Sequence, residues 1–246
     1  MHKPLLATIF LALALPSAAL SGPTVTEVTA ALDRARGASD VAAQVAAIES
    51  LASGCKPADY PMAETQLARA YYLTGEPEVD GARKAGYMDK AIAAADRALK
   101  ADPANAYALY WRSMAKLQKA DVVGGLSALS LVKDALKGLE KVSYADPEYD
   151  DAGACRSWGK VLIEAPSWAF IGDRKKGLSL LLKAKDISPR SLINRLYLAQ
   201  AYEKNGKDKD ALAELAYIAA APVDPAHPKD DADIKDEAAA LARELK

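Results

Sequence analysis

One three-part pattern occurs three times in this chain with fixed internal gaps. Ala91, Ala98 and Pro103 are separated by seven and then five positions; Ala135, Val142 and Pro147 repeat those gaps, as do Gly177, Ala184 and Pro189. An apolar residue follows the first member by four each time: Ala95, Leu139 and Leu181. A looser fourth copy is Ala211, Leu215 and Ile218, ending at Pro222. Copies step by 44, 42 and 34 residues. Small residues let two helices approach, and a Pro stops the second one. With a period near 34, that is the mark of tetratricopeptide (TPR) repeats. The pattern predicts an all-α chain: about four TPR-like helix-turn-helix repeats in a superhelical array with capping helices.

The first helix of each repeat also needs a small residue at the crossing. Ala68, Ser113, Gly159 and Ala199 take that role. Ser113 lies ten after Pro103 and Ala199 ten after Pro189, while Gly159 lies twelve after Pro147. The link from Tyr202 to Ala211 is short and holds Gly206, whereas Tyr71 to Ala91 is much longer. Its extra segment, Thr74 to Tyr87, reads as an insertion, as does Glu164 to Gly172 in the third repeat; insertions in regular arrays often carry function. Val122 to Val142 reads as a long second helix, interrupted early by Gly124 and Gly125 and by charges further on.

Residues 1–21 have the form of a secretory signal. Lys3 opens it, Leu5 to Leu15 is apolar, and small residues end at Ala19 or Ser21. Eleven apolar residues are too few for a bilayer, which needs about 20. The expected division is a signal peptide at 1–21, an N-terminal helical cap at 22–55, the repeat array at 56–222, and a linker with a capping helix at 223–246. The cap comprises helices Val25 to Arg36 and Asp40 to Ala52. In the last helix Ile234, Ala238, Leu241 and Leu245 share a face. Export implies a soluble periplasmic protein without lipid attachment, since no Cys lies near the cleavage site. In an oxidising compartment Cys55 and Cys155 can pair. Such a bond closes about 100 residues and contributes about 4–5 kcal/mol. The alternative is two buried small hydrophobes.

Charge and chemistry narrow the function. A net charge of −1 offers no bulk attraction for nucleic acid. After the signal the one histidine is His227, so neither a His-based catalyst nor a His metal site is expected, and no cofactor is implied. The pairs Asp150-Asp151 and Asp230-Asp231 read as helix N-caps. The inner face of the first helices points to a binding groove formed by Arg69, Tyr72, Tyr107, Tyr110, Met114, Arg156, Lys160 and Gln200. By this register the inner face carries three cations and a single carboxylate, Glu203. That suits an organic anion or an acidic partner segment, because Arg holds carboxylates in bidentate fashion. The opposing account is that these cations pair with carboxylates of neighbouring repeats. Trp168 and Phe170 form a loop pair that either plugs the groove mouth, meets a partner, or tucks back onto the array.

Several blocks carry a more specific resemblance. They are Leu67-Ala68-Arg69-Ala70-Tyr71-Tyr72, Ala98 to Pro103, Tyr110-Trp111-Arg112, Asp146 to Asp151, Gly159 with Glu164-Ala165-Pro166, Gly172 to Gly177, and Asn194 to Ala199. Together they span about residues 60 to 220. With them the chain resembles the periplasmic T component of TRAP transporters, a family related to the regulators of microtubule dynamics. The resemblance implies a helical array around a central channel, self-association as a trimer, and a solute-binding protein as partner. It also implies uptake of an organic acid or other small hydrophobic solute. The rival expectation is a periplasmic TPR scaffold that organises an envelope complex by protein contacts alone.

Overall fold

The structure is a computed structural model that describes residues 60–166, 170–224 and 228–245, together with residues 26, 45, 49, 50, 53 and 54. The expected signal peptide and most of the expected N-terminal cap lie outside the described residues. Among those described, all regular structure is helical. Helices α1 (Tyr60–Gly75), α2 (Gly81–Ala101), α3 (Ala106–Val123) and α4 (Gly125–Ala145) make two antiparallel pairs. Two more follow: α5 (Tyr149–Glu164) with α6 (Arg174–Ile187), and α7 (Leu192–Lys204) with α8 (Asp208–Ala220). Helix α9 (Pro228–Glu244) packs on α8 and α7.

The recurring Pro works through the residue before it. Asp102, Asp146 and Ser188 each precede a Pro and leave the α region, with φ of −136°, −147° and −123° and ψ of 92°, 82° and 74°. Ring contact with the preceding residue disfavours the α region there, so each second helix ends at the same repeat position. Three of the helix starts carry side-chain caps. Asn105 Oδ1 accepts from the Ala108 N–H at 2.9 Å, and Asp80 and Asp173 cap α2 and α6 in the same way.

The small residues fall at the crossings. Ala68, Ala91, Ala95 and Ala98 have no exposed surface, nor do Ala135, Ala184, Ala199 and Ala211. At the crossing of α5 on α6 backbone meets backbone. A Cβ on Gly159 would stand 2.9 Å from the Gly177 carbonyl oxygen, and one on Gly177 2.9 Å from that of Gly159. A partner the pattern does not reveal is Gly138, where a Cβ would reach within 2.1 Å of Ser113 Oγ. Ser113 and Gly138 therefore share one close approach between α3 and α4.

The long repeat steps have a different origin from the one expected. Most of the supposed insertion Thr74 to Tyr87 is helix: α2 begins at Gly81, and its connection to α1 is only residues 76–80. Ala91 and Ala135 thus lie two helical turns further into α2 and α4 than Gly177 and Ala211 lie into α6 and α8. The predicted long helix from Val122 also divides differently. Val122 and Val123 close α3, and Gly124 alone joins α3 to α4 with φ 60° and ψ −176°, a conformation essentially restricted to Gly. Within the repeats, the third has the longest stretch between its two helices, from Glu164 to Arg174.

Candidate functional site

The first helix of each pair lines a concave groove of about 1430 Å³ that runs from α1 to α9. Its floor is aromatic and apolar, with Tyr72, Tyr110, Trp111, Met114, Leu117 and Tyr197 among its walls. Five of the eight expected groove residues line it: Tyr72, Tyr110, Met114, Arg156 and Lys160. The other three lie beside it. Arg69 rests over the Trp111 ring at 5.9 Å, and Tyr107 stacks on Tyr149 at 4.6 Å. Gln200 donates to Glu237 at 2.7 Å, which turns it toward α9.

A buried polar network forms the wall between repeats two, three and four. The Tyr110 hydroxyl donates to Asp150 Oδ2 at 2.6 Å, and Arg156 donates to the same oxygen at 2.7 Å. Arg156 also donates to the Asp150 carbonyl at 2.9 Å, the Asp151 carbonyl at 3.2 Å and Asn194 Oδ1 at 3.1 Å. Asn194 returns bonds to the Asp151 carbonyl at 2.8 Å and the Ala184 carbonyl at 3.1 Å. The two aspartates are therefore not simple N-caps. Asp150, Asp151 and Ala152 have φ of 52°, 53° and 61°. Left-handed backbone costs about 1–2 kcal/mol per residue. Arg156 and Asn194 hold its carbonyls and offset that cost.

Arg156 is therefore a paired cation, but its carboxylate, Asp150, lies on its own helix and not in a neighbouring repeat as the opposing sequence account had it. Arg156 is nearly buried while Asp150 keeps 36% of its side chain exposed, so solvent screens the pair and it contributes less than a fully buried one. Lys160 behaves differently. It makes no ion pair among the described residues, and its ammonium lies 3.8 Å from the Tyr197 ring centroid.

Burial raises the hydroxyls of the floor. Tyr72 and Tyr110 are pushed well above the usual tyrosine value, mainly by desolvation and next by Glu76 and Asp150 respectively. Tyr149, which accepts from Trp111 Nε1 at 2.7 Å, is pushed up to about 12. Burial leads again, and the Trp111 hydrogen bond opposes it.

The charge of the groove reverses the expectation of three cations against one carboxylate. Glu76, Asp121, Asp150, Asp151 and Glu164 line it from the repeats. Asp224, Asp230, Asp231 and Asp233 line it from the C-terminal segment. Among the described residues the cations in the lining are Arg156, Lys160 and Arg190, while Lys204 and Lys229 reach Glu164 and Asp233 from outside it. The register counted the first helices of the pairs, whereas the folded groove also takes in helix ends and the α9 segment. Asp231, read as a cap, accepts the Asp224 N–H at 2.7 Å and ties the linker down.

Some expected residues lie elsewhere. Phe170 is 95% exposed with φ 51°, so it is not tucked onto the array. Trp168, Cys55 and His227 lie outside the described residues. Cys155 is fully buried and is unpaired among the described residues; burial pushes its thiol up and Lys183 pulls it down. Sequence reasoning missed Asn194 and Asp150 as network members. One signal for Asn194 exists: apart from Arg195 the rest of the run Leu192 to Leu198 is apolar or aromatic, and a buried amide there needs partners.

Paired antiparallel helices, small residues at each crossing and a concave inner face define a TPR-like repeat protein. Among solved structures the chain is similar to a thermophilic TPR protein of Thermus thermophilus, with TM-score 0.65 and 19% identity. The match covers 88% of this chain and 98% of that one. No known family profile matches the sequence, and no curated protein matches it.

Proposed function

We propose that the protein is an interaction scaffold whose concave groove holds a segment of a partner protein. The observation that carries this reading is the groove itself. At about 1430 Å³ it exceeds the roughly 300–1,000 Å³ typical of small-molecule sites, and it continues across all four repeats. TPR-like arrays present such surfaces because each repeat packs only on its neighbours and leaves one face open.

The finer reading is an exported accessory component of a TRAP-type uptake system that associates with the solute-binding protein. Its support is the set of sequence blocks from Leu67 to Ala199 and the signal-like N-terminus. The small organic acid expected with that role is the weaker part, because carboxylates dominate the groove.

The test is photo-crosslinking in cells. A benzophenone amino acid replaces Met114 on the groove floor or Ala93 on the exposed side of α2. A specific adduct from position 114 and none from 93 is expected. A solute-binding protein in that adduct supports the TRAP assignment, and an envelope-assembly protein in its place overturns it. Equal adducts from both positions overturn the groove reading.

A further inference from the structure

The groove carries a bank of carboxylates at helix ends whose dipole does not favour them, although Glu76 accepts from the Tyr72 hydroxyl at 3.0 Å and Glu164 lies 3.9 Å from Lys204. Glu76 follows the last residue of α1, Asp121 lies in the last turn of α3, and Glu164 ends α5. The C-terminus of a helix is the negative end of its dipole, where Lys or Arg is favoured and a carboxylate is unfavourable. Three successive inner helices nevertheless place an acid at that end, facing one groove. The acids at the N-termini of α5 and α9 need no such explanation, because there they complement the dipole.

Two further observations concern what the groove attracts. The bank borders the apolar floor of Trp111, Met114 and Leu117, beside Tyr72. The protein's own cations already use such rings: Arg69 lies over Trp111 and Lys160 over Tyr197. An aromatic face draws a cation through its quadrupole, and nearby carboxylates add to the attraction. The concave walls hold solvent back from Asp121 and raise its carboxyl, with Lys160 and then Lys84 opposing. Its side chain is nonetheless solvent-accessible.

We infer that the partner segment held by this groove is basic: its Lys or Arg side chains meet the carboxylate bank at the inner-helix ends, and its apolar residues rest on the Trp111–Met114–Leu117 floor. This inference rests on the groove being the partner site. Charge complementarity selects the occupant. Nine carboxylates in the lining outnumber its three cations and the two that reach in from outside, which repels an acidic segment and concentrates a basic one.

The test uses the whole mature chain and two fluorescein-labelled peptides of twelve residues, one alternating Lys and Leu, the other Glu and Leu. Anisotropy titrations at 0.15 M salt should show the Lys/Leu peptide binding at least about tenfold more tightly than the Glu/Leu peptide. The double variant Asp121→Asn/Glu164→Gln should weaken Lys/Leu binding by about five- to tenfold, as expected for two solvent-accessible charge pairs. The same variant should melt no lower than wild type, because it removes acids from helix C-termini. Asp236→Asn, exposed on α9 and outside the groove, should leave affinity unchanged. Equal binding of both peptides, or equal losses from Asp236→Asn and the groove variant, overturns the inference. Failure of both peptides to bind, while crosslinking at position 114 still captures a partner, overturns the basic character and leaves the groove reading standing.

Discussion

Tyr149 links the aromatic floor to the strained turn: its hydroxyl accepts from Trp111, and its ring meets Tyr107 and Tyr110. Its raised pKa has a stability consequence with a definite sign. The folded state keeps the phenol protonated up to about 12, while the unfolded chain releases that proton near 10. Between those values the unfolded state binds fewer protons, so stability falls as pH rises. The contribution is complete below pH 10 and is lost by about pH 12, a change of roughly 2–3 kcal/mol. Tyr149→Phe should therefore start about 1 kcal/mol less stable at pH 7, having lost a hydrogen bond, and then decline less steeply. Urea unfolding from pH 8 to 12 checks this, and parallel profiles for the two proteins would contradict it. This behaviour is not readable from the sequence. A tyrosine at a helix start reads the same whether exposed or enclosed; the wall contributed by α3 decides it.

At the scale of elements, the helix pairs are set by crossings where side chains are absent. Gly159 and Gly177 show this most directly, since each backbone occupies the space the other's Cβ would need. Gly177→Ala must push α6 away from α5, and overpacking of this kind costs about 1–3 kcal/mol. The substitution also adds helix propensity, worth up to about 1 kcal/mol, so the net should remain a loss of up to about 2 kcal/mol. Gly86→Ala in α2, where a Cβ meets nothing within 4 Å, should gain stability instead. Thermal melts of the two variants should shift in opposite directions, and a neutral Gly177→Ala would show that the α5–α6 spacing is not limiting. These crossing positions were legible in advance because close approach needs small residues at a fixed period. The helical extensions of α2 and α4 were not. Glycines at 75, 81 and 86 read as loop signals, yet Gly81 and Gly86 sit inside α2, capped by Asp80 and carried by packing.

Across the whole molecule, the buried apolar side chains of the described residues form a large cluster over α1 to α5, one over α7, α8 and α9, and two small ones that join α5, α6 and α7 between them. The second holds Leu196, Leu215 and Ile218 under Ala238, and Lys235 donates to the Ile218 carbonyl at 2.9 Å and the Ala221 carbonyl at 2.5 Å. In a repeat array each unit is stabilised by its neighbours, so the end with the smaller cluster should open first. Hydrogen exchange read by mass spectrometry is expected to deprotect α8 and α9 before α3 and α5, and simultaneous exchange of all helices would refute separate units. The sequence by itself determined the helix pairs, their order, their stop positions and the faces that meet. Those depend on local backbone preferences and on side-chain size at a fixed period, and both are written residue by residue. Only the tertiary structure decided the character of the groove. Its charge comes from helix ends and the α9 segment brought beside the inner helices. Arg156 became a paired cation because a left-handed turn aims two carbonyls and one carboxylate at it. Electrostatics depends on distance in space, which repeat spacing does not encode.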